Sequence, residues 1–473
     1  MHGLLTDFYE LTMAQGFFLS GKASSVAYFD MYFRDIPDKA GYAIMAGVEQ
    51  LMEYLENLRF TDADIEFLRS KKMFCEEFLE YLRNFKFTCD VWAIPEGTPI
   101  FPNEPIVTVR GNLIEAQLIE TMLLITINYQ SLIATKASRI VRAANGRDVI
   151  EFGARRAQGT SAALHGARAA FIGGAAGTSC TLAEKEFSIP AMGTMGHSWV
   201  QSFDCEYEAF LQFAKLYPTN CTLLVDTYNV LKSGVPNAIR VFDEVLKPLG
   251  ITTGGIRVDS GDIAYLSQKA RKMLDAAGWH DIKIVASNSL DEYIIRDLLT
   301  QDAKVDIFGV GERLITSKSY PVFGGVYKLA ATCENGEIIP KIKVSENPAK
   351  ITTPYFKKVY RLFSNDDHMA IADVLTAYDE DIDESDEYEI FDPVHTWKRK
   401  KISNFVAKPL QTQIFKNGKK CYESPNIHEI QRYCKESLNQ IWDEIKRFEN
   451  PQEYYVDLSQ RLWDIKYDLL SPD

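Results

Sequence analysis

The sequence predicts an α/β barrel in the middle of the chain, and three observations predict it. Short β-branched runs at 222–225, 255–258, 283–286 and 305–308 recur at the spacing of βα units, each followed by a helical stretch. Polar or flexible residues cluster where each run ends: Asp226, then Asp259-Ser260-Gly261-Asp262, then Ser287-Asn288-Ser289, then Gly309-Val310-Gly311. In a parallel barrel the loops after the strands converge on one face, so these clusters mark the chemical face. At 473 residues the chain also exceeds what a single core accommodates, which leaves room for regions on both sides of the barrel.

The N-terminal α+β region, 1–145, starts with a helix whose Asp7-x-x-Glu10 spacing predicts a capping arrangement. A strand is expected over 26–33 and a Pro/Gly-punctuated β-subdomain over 90–111, where apolar residues alternate. A long helix is expected over 114–144. Its apolar stretch, 122–134, is interrupted by Thr, Asn, Gln and Ser and falls short of the ~20 residues that span a bilayer. The barrel then occupies 146–335. In the C-terminal region, 336–473, the βα rhythm stops. There the acidic stretch 379–392 precedes Lys398-Arg399-Lys400-Lys401, which reads as a solvated loop beside a charged edge, and 426–470 reads as helical.

Hydrophobic content of 46% and charged content of 25% are those of an ordinary globular protein. The net charge of −13 opposes nonspecific binding to nucleic acid or anionic membranes, so any basic residues serving an anionic ligand must be focused locally. The opening Met1-His2-Gly3-Leu4-Leu5-Thr6-Asp7 lacks a basic segment followed by an apolar one, and a cytoplasmic protein is expected. Eight scattered cysteines without a C-x-x-C pair argue against a zinc site or a disulfide framework and for reduced, mostly buried thiols.

Several residues carry chemical potential. Arg257 and Asp259 alternate with Ile256 and Val258, which puts the polar pair on one face of a strand and the apolar pair on the other. Asp262 reads as the N-cap of a helix beginning at Ile263. Arg155 follows the β-rich run 149–152, where a guanidinium can pair with phosphate, and Arg156 points elsewhere if the chain is still extended. Phe152 is either core or a platform for a flat ring. Gly309 and Gly311, joined by Ser287 and Asn288 on the preceding unit, can bring backbone N–H groups against a 5′-phosphate. His197, between Gly196 and Ser198, taken alone reads as a core or hydrogen-bonding histidine.

Four segments together change that weighting: Leu4-Leu5-Thr6-Asp7-Phe8-Tyr9-Glu10-Leu11-Thr12-Met13, Phe152-Gly153-Ala154-Arg155-Arg156-Ala157-Gln158-Gly159, Gly193-Thr194-Met195-Gly196-His197-Ser198 and Arg257-Val258-Asp259-Ser260-Gly261-Asp262. In this order they resemble the nicotinate phosphoribosyltransferase family, from Leu4 to about Leu329. The resemblance implies an irregular parallel α/β barrel of the type II phosphoribosyltransferase kind, with an N-terminal α+β subdomain and a C-terminal extension. It implies an ATP-coupled transferase in NAD biosynthesis that joins nicotinate to phosphoribosyl pyrophosphate, with Mg²⁺ accompanying the phosphates.

By the same resemblance His197 is the residue phosphorylated by ATP, with Asp226 as the carboxylate on its other nitrogen. Phe152 stacks on the pyridine ring, Arg155 faces phosphate or the nicotinate carboxylate, Arg257 takes the substrate phosphates and Asp259 the ribose hydroxyls. Tyr9 stacks on the ring in the neighbouring subunit's barrel, so a homodimer with shared sites is implied. The segment 172–182 contains no Asp or Glu. Its Gly177-Thr178-Ser179 offers hydroxyl and backbone donors, which suits nicotinate better than nicotinamide.

The alternatives are a nicotinamide phosphoribosyltransferase, a phosphate-binding aldolase or isomerase, and a non-catalytic metabolite-binding barrel. An aldolase needs a Schiff-base lysine at a strand end, whereas Lys283 and Lys304 sit at strand beginnings. A sensor is expected to have lost His197, Asp226 or Arg257, and all three are present.

Overall fold

A computed structural model describes residues 3–471. The chain divides into two compact units: residues up to Leu132 together with those from Val322 onward, and Ile133–Pro321.

Within Ile133–Pro321, six strands form one sheet in the order Gly177–Thr178, Asp148–Glu151, Ile307–Val310, Ile282–Ser287, Gly254–Val258, Thr222–Leu224. Every pairing in it is parallel. Among the described residues no ladder joins the first strand of this order to the last, which is where the barrel is irregular. Strand periodicity decides which residues face the core. Ile256 and Val258 are buried with Leu223, Leu224 and Ile284 against Phe210 and Phe242 of the surrounding helices, which leaves Arg257 on the opposite face. The expected N-cap forms, since Asp262 accepts from the Tyr265 N–H at 2.9 Å at the start of Ile263–Ala276.

The other unit interleaves the two ends of the chain. Its seven-stranded sheet runs Glu337–Pro340, Val326–Glu334, Val26–Tyr32, Val107–Asn112, Asp90–Ala93, Thr412–Lys416, Lys419–Lys420. Regions adjacent in the fold are therefore not adjacent in the chain. The strand Val326–Glu334, reckoned with the barrel in the sequence, pairs antiparallel with Val26–Tyr32. A four-stranded sheet of Phe405–Pro409, Lys357–Ser364, Ala370–Ala377 and Val456–Leu458 belongs to the same unit. Inside it Arg361 and Asp373 form a buried pair at 2.6 Å, with the Tyr454 hydroxyl donating to the same carboxylate at 2.9 Å. Their mutual attraction and the added hydrogen bond offset part of the desolvation cost of burying both charges.

Several local expectations are corrected. Asp7 occupies the N-cap of Phe8–Leu19, but its side chain accepts no capping bond. Glu10 instead turns inward, where it accepts the Thr121 hydroxyl at 2.6 Å and the Thr6 hydroxyl. The long helix is two, Leu113–Leu118 and Glu120–Ala143, because Ile119 at ψ −5° breaks the spiral. The C-terminal helical run is also two helices, Ile427–Asn439 and Gln460–Leu470, separated by the Val456–Leu458 strand and each started by its own polar N-cap, Asn426 and Ser459.

The acidic and basic stretches form a hairpin, Tyr388–Phe391 with Arg399–Ile402, in which Arg399 meets Glu389 at 2.6 Å and Lys401 meets Glu387 at 3.2 Å. Cross-strand charge pairing orders what looked like a loop. All eight cysteines are free, but only Cys89, Cys221 and Cys434 are buried. Among the described residues no helix is long and apolar enough to cross a membrane.

Candidate active site

The site is built on the C-terminal ends of the barrel strands, with Arg257 at its centre. The guanidinium donates from Nε to Ser287 Oγ at 3.0 Å, from Nη1 to Thr194 Oγ1 at 3.0 Å and the Met195 carbonyl at 3.3 Å, and from Nη2 to Asp259 Oδ1 at 3.2 Å. Ser287 also donates to Asp259 Oδ1. A planar fork held at every nitrogen has one orientation, and here it stands 5.9 Å over the Phe152 ring. The Asp259 Oδ2 atom lies 3.8 Å from His197 Nε2.

His197 opens the short helix His197–Gln201 with its side chain 41% exposed, enough for a substrate to reach it. Its Nδ1 meets the Thr227 hydroxyl at 3.1 Å. Asp226 does not take the expected place beside the imidazole. Its Oδ2 accepts the Asp259 N–H at 3.2 Å and the Ser260 hydroxyl at 2.5 Å, tying two strand ends together, while its Oδ1 is buried without a hydrogen-bond partner.

Glu151 is not among the residues expected at the site, although an acid inside the β-rich run 149–152 is a signal. Fully buried, it accepts the Thr178 hydroxyl at 2.7 Å through Oε2 and the Gly153 N–H through Oε1. Burial raises its carboxyl above the ordinary range despite these two donors. Thr178 is therefore buried and committed to Glu151 rather than open to an anion, and the Ser179 N–H is spent on the Glu151 carbonyl at 2.8 Å. Of the donors expected there, the exposed Ser179 side chain remains.

Other placements differ in kind. Arg155 and Arg156 belong to a 3-10 turn, Ala154–Arg156, rather than an extended chain, and both are exposed. Gly309 lies within its strand, paired to Ser287 on one side and Ile150 on the other. A Cβ there would come within 2.5 Å of the Phe152 ring, so this glycine makes room for the aromatic side chain. Gly311 follows the strand and opens the Glu312–Ile315 turn. Asn288 is exposed and left-handed at φ +83°, beyond the buried Ser287. Tyr9 belongs to the other compact unit and is 46% exposed.

Comparison with known proteins decides the family. Over 463 residues, 98% of this chain and 94% of the relative, the sequence is 47% identical to nicotinate phosphoribosyltransferase of Bacillus subtilis (strain 168). The chain belongs to the nicotinate phosphoribosyltransferase family. Profiles for the N-terminal domain, the family core and the C-terminal domain match residues 4–128, 148–361 and 356–466. It is 38% identical to nicotinate phosphoribosyltransferase pncB2 of Mycobacterium tuberculosis, over 97% of this chain and 92% of that protein. The crystal structure of human nicotinic acid phosphoribosyltransferase superposes with a TM-score of 0.87 at 29% identity, covering 98% of this chain and all of that one. For a nicotinate phosphoribosyltransferase family member, the Arg257–Asp259–His197 cluster sits where the barrel delivers chemistry.

Proposed function

We propose that this protein transfers the phosphoribosyl group of phosphoribosyl pyrophosphate to nicotinate, releasing pyrophosphate and forming nicotinate mononucleotide for NAD biosynthesis, and that ATP drives the reaction through phosphorylation of His197. The observation that carries the reading is the fully tethered Arg257, poised over Phe152 and sharing Ser287 with Asp259.

In the transfer, the pyridine nitrogen forms the new bond to the anomeric carbon as the bond to pyrophosphate breaks. Positive charge grows on the ribose ring and negative charge on the leaving group. Arg257 is pre-oriented for phosphate oxygens, and preorganised donors need no rearrangement as charge develops. Asp259 offers Oδ2 to a ribose hydroxyl, and Phe152 offers a face to the pyridine. In this reading Arg155, Ser179, Asn288 and the Gly311 turn serve the anionic ends of the substrates. Mg²⁺ would neutralise charge on the diphosphate, and Asp226, whose buried Oδ1 has no hydrogen-bond partner, is the carboxylate that would hold it.

For ATP coupling, the Thr227 hydroxyl can hold the Nδ1 proton, leaving the Nε2 lone pair to take the γ-phosphoryl group as ADP departs. Each active site is completed by a second copy, whose Tyr9 covers the other face of the pyridine. Tyr9 is one of several exposed apolar side chains at this end of the chain, with Leu5, Phe8 and Met13.

The test is incubation with phosphoribosyl pyrophosphate, Mg²⁺ and either nicotinate or nicotinamide, with and without ATP. The reading requires nicotinate mononucleotide, stimulated by ATP with ADP released. Exclusive use of nicotinamide, or no nucleotide at all, would overturn it.

A further inference from the structure

The unit containing both chain ends holds a cavity of about 250 Å³, and none of its lining residues belongs to the barrel unit. Arg34, Lys328, Lys357 and Lys466 bring four cationic side chains to its walls, against Asp30 and Asp35. Two of the cations are neutralised locally. Lys357, almost fully buried, lies 2.6 Å from Asp30 Oδ2 and also donates to the Thr353 and Tyr355 carbonyls, while Lys328 is 3.6 Å from Glu120.

Among the described residues the other two have no carboxylate partner. Lys466 Nζ reaches only the Thr353 hydroxyl, at 3.2 Å, and Arg34 donates from Nη2 to the Tyr32 hydroxyl at 3.2 Å while its Nε is buried with no partner. Asp35 is exposed, so it is solvated rather than paired with them. Burial, and next the charge of Lys357, lower Lys466 to about 8, as expected of an ammonium lacking an anion.

Leaving such cations unpaired in a walled cavity costs free energy that a bound anion would recover. The rest of the wall sets apolar Leu329, Leu375 and Leu458 beside polar Asn103, Thr352 and Thr353, and the cavity is large enough to hold several waters at roughly 30 Å³ each. We propose that this cavity is a second ligand site, which binds a small phosphate monoester with its phosphate between Arg34 and Lys466 and its carbon portion against the apolar wall.

Trace acetylation of the full-length protein at pH 8, read at the Lys466 peptide by mass spectrometry, tests this directly. Inorganic phosphate and glycerol 3-phosphate should both slow labelling of Lys466, by about tenfold at ten times Kd, the monoester acting at lower concentration and glycerol not at all. Protection should persist in Arg257→Ala, which disables the barrel site, and should be lost in Arg34→Met, which keeps the aliphatic stem. Unprotected Lys466 in the wild-type protein would overturn the proposal, and so would protection that disappears in Arg257→Ala. Protection by inorganic phosphate alone would overturn the monoester assignment. No turnover is measured, so the outcome is independent of the phosphoribosyl-transfer reading.

Discussion

Arg257 and Asp259 project from the same face at the end of one strand, 3.2 Å apart, with Ser287 from the next strand bonded to both. The guanidinium is thereby fixed before any substrate arrives. The carboxylate spends Oδ1 on this clamp and keeps Oδ2 turned toward His197. One strand end thus connects the phosphate-binding and phosphoryl-accepting parts of the proposed site.

Arg257→Lys should show how much that clamp matters. A lysine keeps the charge but cannot bond Ser287, Thr194 and Asp259 at once. A loss of about 2.7 kcal/mol, or ~100-fold in kcat/KM for phosphoribosyl pyrophosphate, is expected for lost charge-assisted bonds. Steady-state kinetics at saturating nicotinate measure it, and a wild-type value would remove Arg257 from the transition state.

His197→Ala should uncouple ATP without ending transfer. The imidazole accepts a phosphoryl group but takes no part in forming the bond to ribose. ADP production should fall to background while slow, ATP-independent nucleotide synthesis persists. Acid-labile, base-stable phosphate still recovered from this variant would place the modification on another residue.

The barrel strands were legible because β-branched runs and polar strand ends are local signals, and Arg257 with Asp259 followed from period-two alternation. Partners across strands were not legible. Which hydroxyl meets His197, or which carboxyl lies under Thr178, depends on the order in which strands pair, and no local pattern encodes it. For the same reason Val326–Glu334 was grouped with the barrel: its composition suits a strand anywhere, and its partner lies some 300 residues away at Val26–Tyr32. The break at Ile119 has no local sequence signal, because the apolar pattern continues through it.

Gly309→Ala should weaken base binding selectively. The new methyl would meet the Phe152 ring at 2.5 Å, so the ring must move from the face it offers. Overpacking of this kind costs about 1–3 kcal/mol. KM for nicotinate should rise by more than KM for phosphoribosyl pyrophosphate, and equal changes in the two would mean that Phe152 does not hold the base.

Asp457 makes stability depend on pH. Burial, and then the charge of Asp392, raise its carboxyl to about 7. The folded state therefore holds a proton that the unfolded chain releases near pH 4. Its contribution is fully present below pH ~4 and is lost as pH rises through about 7, a change of a few kcal/mol. Asp457→Asn, which cannot ionise, should flatten this part of the profile and gain in relative stability at pH 8. Urea denaturation from pH 4 to 8 gives the comparison, and parallel profiles for the two proteins would show that Asp457 does not titrate in this range.

Mixing Tyr9→Ala with Arg257→Ala should restore activity that neither variant has alone. The expectation follows from where the two residues lie: Arg257 belongs to the barrel unit, whereas Tyr9 stands 46% exposed near the start of the other. A flat pyridine ring is best held between two aromatic faces, and the barrel supplies Phe152 as one of them. If a two-fold partner supplies Tyr9 as the other, each mixed dimer contains one site with both defects and one with neither. After reversible dissociation and equal mixing, half of the dimers are mixed and each carries one intact site, so about a quarter of wild-type activity should return. Native mass spectrometry establishes that heterodimers have formed. Heterodimers without activity would assign Tyr9 to its own subunit's site or to none.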